Sequence, residues 1–291
     1  MNVAFIGVGS MGTPMAACIA RAHHPLTLYD SVRERAMQVA TEHGGRVADG
    51  FDDLAASDFV VTMLPTGQIV RDLYLREGLA RKLRPGAIAI DMSSSYPVGT
   101  RALGAALAAR GVTLIDAPVS GGVPRAVQGT LTIMIGGDDP AAIDRARPLL
   151  GAMGDRLFNT GGLGSGHAMK ALNNFVAAAG FAACAEALLA GKRFGLDPAR
   201  MIEILNVSTG RSFHTDLVLR EHVVEGKFAT GFQLGLLAKD VRIAADLAHQ
   251  LRLDAPLVRL VSEHFEGARD ALGYTRDHTE AIKAWDKNSA V

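Results

Sequence analysis

The 291-residue sequence predicts an α/β fold, a doubly wound parallel sheet in the first half followed by an all-α second half. Two observations predict it. Short apolar runs alternate with helix-length segments up to about residue 161, and beyond that point only the 3.6-residue helical period remains. The runs are NVAFIG (2–7), LTLYD (26–30), DFVVTML (58–64), GAIAIDM (86–92), VTLIDAP (112–118) and LTIMIGG (131–137), with DRLFNTG (155–161) closing the series. They are continuous in Val, Ile and Leu, as strands buried on both faces must be. Segments such as TPMAACIARA and RALGAALAAR between them supply the covering helices.

The glycine cluster GGLGSG (161–166) separates the halves, which places the domains at 1–162 and 163–291. Helices are then expected from AMKALNNFVAAAGFAACAEALLAGKRFG, PARMIEILN, GFQLGLLAKDVRIAADLAHQL and PLVRLVSEHFEGARDAL. Gly195, Pro198, Gly231 and Pro256 punctuate them, and the closing DKNSAV (286–291) is expected to fray.

Thirty basic residues balance thirty acidic ones, so no electrostatic footprint argues for nucleic acid or an anionic membrane as partner. The two cysteines, Cys18 and Cys184, sit in apolar helical patterns and read as reduced core thiols, which suits the cytoplasm. The amino terminus has no basic region before its apolar stretch and reads as a first strand. The longest apolar run of the central helix, Phe175 to Ala185, spans eleven residues, short of the ~20 that cross a bilayer. A soluble chain is therefore expected.

FIGVGSMG places Gly7, Gly9 and Gly12 in the G-x-G-x-x-G spacing, after a strand and before a helix. Glycine there permits a tight turn, close approach of backbone to a pyrophosphate, and tight helix-to-strand packing. The next strand ends at Asp30, eighteen residues after Gly12, where a carboxylate can accept hydrogen bonds from ribose hydroxyls. Residues 1–162 therefore read as a Rossmann-type dinucleotide-binding domain. Asp30 repels a 2′-phosphate and favours NAD, while Arg33 and Arg35 leave NADP possible.

Three more segments carry chemistry: DAPVSGG (116–122), GSGHAMKALNN (164–174) and AKD (238–240). Ser120, Gly121 and Gly122 end a strand, where ligands of open α/β sheets sit, and their hydroxyl and N–H groups could cradle a carboxylate. Lys170 and Asn174 are four residues apart on one helical face. Oxidising an alcohol requires a group that takes the hydroxyl proton as hydride leaves, and a desolvated lysine can do so near neutral pH.

Together FIGVGSMGTPMA, DAPVSGGVPRAVQGTL, GSGHAMKALNN and LLAKD resemble the β-hydroxyacid dehydrogenase family, in its order and over almost the whole chain. Its members include 3-hydroxyisobutyrate dehydrogenase, tartronate semialdehyde reductase and short glyoxylate and succinic semialdehyde reductases. The resemblance implies Lys170 as catalytic acid/base, Ser120, Gly121, Gly122 and Asn174 as substrate anchors, and Lys239 near the nicotinamide. It also implies cofactor contacts at Leu64, Pro65 and Ser94, where many relatives carry threonine in place of the serine. Without it, Lys239 and Asp240 would read as a solvated pair.

The expected reaction is interconversion of a small β-hydroxycarboxylate, 3-hydroxyisobutyrate-like, with its semialdehyde or keto acid. The alternatives are an NADPH-dependent glyoxylate or succinic semialdehyde reductase, and a non-catalytic dinucleotide-binding protein. Arg211, Ser212, Phe213 and His214, in NVSTGRSFHTD (206–216), could line the substrate pocket, although a loop histidine is more often structural. The resemblance further implies a homodimer or homotetramer, with FATGFQLGLLA (228–238) as contact or core. The nine scattered histidines match no metal-binding spacing, so no metal is expected.

Overall fold

A computed structural model describes residues 1–286, so the tail expected to fray lies outside the described residues from 287 on. Asp286 is described and does not fray: its carboxylate accepts a 2.6 Å bond from Arg193. The chain divides into two compact units, Met1–Lys170 and Ala171–Val291.

The first unit is built on β1 (Val3–Ile6), α1 (Gly12–Arg21), β2 (Leu26–Tyr29), α2 (Arg33–His43), β3 (Arg46–Val47), β4 (Phe59–Thr62) and α3 (Gly67–Leu75). It continues through β5 (Ile88–Asp91), α4 (Pro97–Ala108), β6 (Thr113–Asp116), β7 (Val119–Ser120), α5 (Gly122–Gln128), β8 (Thr132–Gly136), α6 (Pro140–Met153) and β9 (Arg156–Gly161). The sheet order is β3-β2-β1-β4-β5-β6-β8-β7, with β9 on β8. Strands β1 to β6 pair in parallel, the doubly wound arrangement expected. At the far edge of this sheet β8 runs antiparallel to both β6 and β7. The connection explains this: β6 reaches β8 through the short β7 and α5 on one side, without the crossover that a parallel neighbour requires.

Alternate residues of β1 serve two cores. Val3 and Phe5 join Met15, Ile19, Ile90 and Leu149 on one face. Ala4 and Ile6 join Val60, Tyr74, Leu103 and Leu114 on the other. Helices thus cover both faces, and the carboxyl ends of the strands stay free for the loops that carry the site.

The second unit is helical. The long α7 (Ser165–Phe194) leads into it, followed by α8 (Pro198–Asn206), α9 (Phe213–Leu217), a π-helical turn at Leu219–Val224, α10 (Leu234–Gln250), α11 (Pro256–Leu272) and α12 (Ala281–Trp285). By length and composition α7 is long and apolar enough to cross a bilayer, which the eleven-residue run had not suggested. The difference arises because alanine and leucine continue on both sides of Glu186. Its positions Ala178, Phe181, Ala182, Ala185 and Leu188 follow the helical period and pack with Leu237, Val241 and Phe265 in the core of the helical unit.

His214 and His278 flank the buried Phe181 ring, with centroids 5.6 and 5.5 Å from it. His214 Nε2 contacts the Ala177 carbonyl at 2.7 Å, and His278 Nδ1 lies 3.1 Å from Thr230 Oγ1. His214 is therefore a core residue, as the structural reading of the loop had it, and burial holds its pKa below the usual histidine range. Burial likewise pushes His278 down to about 4, with Asp277 opposing and His214 reinforcing the shift. Because the folded value lies below the unfolded one, the neutral ring contributes stability above about pH 6.5 that is lost as the pH falls toward 4. Denaturant unfolding should show this unit weakened by about 2 kcal/mol between pH 7.5 and pH 5. His278→Gln should flatten that slope, and an unchanged slope would place the titration elsewhere.

Candidate active site

The cofactor cradle is built by the turn between β1 and α1. A Cβ on Gly12 would overlap the Gly7 carbonyl oxygen, and Gly7 itself, at φ +95°, is pressed against the Met63 carbonyl. Gly9, by contrast, faces open space. Two glycines therefore close the turn and the third leaves room for a phosphate to approach the backbone. Helix α1 starts without a side-chain cap and with no acid in its first turn, so its free N–H groups and positive dipole end remain available to an anion. A cleft of about 580 Å³ opens here, lined by Gly9, Ser10, Thr13, Arg21, Arg35 and His43 among others. These features fit a dinucleotide.

Asp30, at the end of β2, is oriented by the cradle itself. Its carboxylate accepts from Val8 N and Val32 N, each at 2.9 Å, and Arg35 stands 4.0 Å away. Each oxygen keeps a lone pair for a ribose hydroxyl. Leu64 and the exposed Pro65 follow β4, and Leu64 N donates to Ser93 Oγ at 2.9 Å. Ser94 is half-buried, between the buried Ser93 and Ser95. Both neighbours serve Asp91: Ser93 N donates to Oδ1 at 3.0 Å and Ser95 Oγ to Oδ2 at 2.6 Å.

Ser120, Gly121 and Gly122 form a turn between β7 and α5. Gly121 (φ +132°) and Gly122 (φ +65°) both take conformations that a side chain disfavours, and a Cβ on Gly121 would strike the Arg125 stem. Their amide edges are exposed and Ser120 is half-buried, a polar surface suited to a carboxylate.

Lys170 sits half-buried in the second turn of α7, and Asn174 follows one turn later, buried. In the helical unit Asn174 Nδ2 donates to Asp240 Oδ2 at 2.6 Å, and Lys239 Nζ pairs with Asp240 Oδ1 at 3.1 Å. Asp240 is 3% exposed. The lysine–aspartate pair is thus no solvated pair: a buried carboxylate holds two of the expected site residues, Asn174 by a charge-assisted hydrogen bond and Lys239 by an ion pair. Asn173 Nδ2 donates to Asn174 Oδ1 at 3.1 Å, so both ends of that amide are fixed.

Residues 211–214, which could line the substrate pocket, lie at the start of α9. Arg211 pairs with Asp216 at 2.9 Å, Ser212 forms a capping box with Thr215, Phe213 is exposed, and His214 is buried in the core. Their sequence is explained by starting α9. Among the described residues there is no cluster of three or more metal-ligating side chains.

Comparison with known proteins accounts for both halves. A family model described as the NAD binding domain of 6-phosphogluconate dehydrogenase matches residues 2–162. One described as NAD-binding of NADP-dependent 3-hydroxyisobutyrate dehydrogenase matches residues 164–285. The 3-hydroxyisobutyrate dehydrogenase of Pseudomonas aeruginosa is 37% identical over 273 residues, 91% of each chain. The chain belongs to the β-hydroxyacid dehydrogenase family. The 2-(hydroxymethyl)glutarate dehydrogenase of Eubacterium barkeri is 32% identical, covering 100% of this chain and 97% of its own. The solved structure of Mycobacterium tuberculosis 3-hydroxyisobutyrate dehydrogenase with L-serine superposes with a TM-score of 0.89 at 31% identity, covering 98% of both chains.

As a β-hydroxyacid dehydrogenase, the protein is an NAD(P)-dependent enzyme acting on a hydroxyacid. Four acid and base positions of this dehydrogenase were given no role by the motifs, although three of them lie within the quoted motif segments: Asp91, Asp116, His167 and Asp240. The first two end strands β5 and β6, so a carboxylate at the close of an apolar run was the available signal. Asp240 gave its signal as an acid on the apolar face of α10, where burial demands a partner.

Proposed function

We propose that this dehydrogenase is NAD-preferring and oxidises a small β-hydroxycarboxylate, 3-hydroxyisobutyrate-like, reversibly to its semialdehyde or keto acid. The observation that carries the reading is the buried Asp240, which holds Asn174 and Lys239 together. A surface lysine pair needs no buried acid, whereas an ordered amide and ammonium serve substrate and cofactor.

In this reading residues 1–162 bind the dinucleotide through Gly7, Gly9, Gly12, Asp30, Leu64, Pro65 and Ser94, and residues 163–291 form the helical substrate and oligomerisation domain. Bound NAD supplies the hydride acceptor. Ser120, Gly121 and Gly122 hold the substrate carboxylate by hydroxyl and N–H donors, and Asn174 orients the substrate by its amide. Lys170 takes the hydroxyl proton as the carbinol C–H bond breaks, and returns it in the reverse direction. Lys239 lends positive charge near the nicotinamide, held in place by Asp240.

A second reading, an NADPH-dependent reductase of glyoxylate or a semialdehyde, is favoured by Arg35, which lines the cleft beside Asp30 and could receive a 2′-phosphate. A homodimer or homotetramer is supported by exposed apolar side chains of the helical unit such as Val176, Phe194 and Val207. A cytoplasmic setting agrees with two free thiols, Cys18 and Cys184.

The test is initial rates with NAD and NADP against 3-hydroxyisobutyrate, 3-hydroxypropionate, glycerate and serine. The expected result is kcat/KM at least about tenfold higher with NAD, the size of effect that loss of a charged hydrogen bond or charge repulsion produces. Preference for NADP, with turnover in the reductive direction only, would favour the second reading.

A further inference from the structure

We propose that His167 is a positioning residue that locks the first turns of α7, and with them Lys170, onto the loops that end β5 and β6. The proposal rests on Lys170 as the proton carrier.

The imidazole of His167 is fully buried between two buried carboxylates. Its Nδ1 lies 2.8 Å from Thr100 Oγ1 of α4 and 3.7 Å from Asp116 Oδ2 at the end of β6. Its Nε2, with no closer hydrogen-bond partner among the described residues, stands 3.6 Å from Asp91 Oδ2 at the end of β5. Taking a polar ring and two carboxylates out of water is costly unless they satisfy one another. A residue that only filled this space would be apolar.

The same cluster anchors the helix start by its backbone. Asp116 Oδ1 accepts from Gly164 N at 2.7 Å and Oδ2 from His167 N at 2.8 Å, so one carboxylate serves the free N–H groups at the entrance of α7. A Cβ on Gly166 would overlap the Met134 carbonyl of β8, which shows how closely that turn is pressed onto the sheet. On the other side Asp91 accepts from Thr62 Oγ1 at 3.1 Å and from Ser93 N at 3.0 Å, and Ser93 Oγ accepts from Leu64 N at 2.9 Å. His167 is the side chain that joins these two halves. From Leu64 in the expected cofactor loop, the contacts run through Ser93, Asp91 and His167 to the turn that bears Lys170, three residues further along α7.

Lys170 has a long flexible stem, and its reach is set by the azimuth and depth of the helix turn beneath it. A displacement of about 1 Å at a reacting group can cost up to about a hundredfold in rate. His167 acts through that geometry and need not touch the substrate.

The experiment compares the full-length wild type with His167→Ala, His167→Gln, Lys170→Ala and the His167→Ala/Lys170→Ala double variant. It reads kcat and KM in the oxidative direction and, without cofactor, amide hydrogen exchange over residues 164–170. Glutamine keeps most of the volume and one donor toward the acids, which guards against loss of folding in the alanine variant. The expected result is a kcat about tenfold or more lower in His167→Ala, with substrate KM within about threefold, and largely recovered in His167→Gln. Exchange over 164–170 should quicken in His167→Ala while the β1 and β4 amides keep their protection. In the Lys170→Ala background the His167 substitution should change turnover by less than about threefold, the non-additivity of residues that act as one unit.

Unchanged exchange over 164–170, full turnover in His167→Ala, or an equal loss in both backgrounds would overturn the proposal. Wild-type turnover in Lys170→Ala alone would overturn the Lys170 assignment instead, and the exchange result would still report whether His167 holds the helix start.

Discussion

Lys170→Ala is expected to lower kcat by ~10²-fold or more while cofactor affinity changes little, since a positioned general base contributes about that much to a proton transfer. The physical reason lies in the helix that carries it. Lys170 stands half-buried in the second turn of α7, just after an entrance whose Gly164 and His167 N–H groups are held by the buried Asp116. The ammonium is therefore placed by a rigid element rather than by a loop. Steady-state kinetics checks the effect, and cofactor titration by fluorescence checks that the cradle around Gly9 is intact. Turnover equal to wild type would remove Lys170 from the chemistry.

Asp240→Asn carries the second largest expected effect. The substitution keeps the volume and removes the charge that Lys239 Nζ approaches at 3.1 Å and Asn174 Nδ2 at 2.6 Å. Losing a charge-assisted bond costs about 1.5–3 kcal/mol, so kcat/KM should fall by about 10–100-fold. The loss reaches the substrate through a misplaced Asn174 amide and a lysine without its counter-ion. Circular dichroism and the unfolding midpoint should show the helical unit still folded. An unchanged kcat/KM would mean that Asp240 organises neither neighbour, and that the pair is structural after all.

How much of this was legible in the sequence depends on the kind of contact. The main strands and the long helices could be read because each must bury a continuous or periodic apolar surface; the runs at 26–30 and 256–272 became β2 and α11 almost residue for residue. The two-residue strands β3 and β7 were not legible, because so few residues carry no period. Strand direction was not legible for β8 either: hydrophobic pattern reports burial, and the antiparallel pairing follows from the short connection through α5. In the site, Gly7, Gly9, Gly12 and Asp30 could be read because backbone geometry forces those residue types at that spacing. Asp91, Asp116 and His167 could not, because they are far apart in sequence and meet only when β5, β6 and the start of α7 come together. Residues 211–214 stayed open between two readings for a related reason: a polar stretch that caps a short helix looks, in sequence, like one that lines a pocket.

The central claim is that hydride leaves the carbinol carbon of a small hydroxyacid while Lys170 takes the hydroxyl proton. Its most direct test is single-turnover formation of reduced nicotinamide from 3-hydroxyisobutyrate, ordinary and deuterated at the carbinol carbon, in wild type and Lys170→Ala. The expected result is a slower step with the deuterated substrate in both proteins, and a step slower by ~10²-fold in the variant at neutral pH. A wild-type rate in the variant, or no deuterium carried onto the reduced nicotinamide, would contradict it.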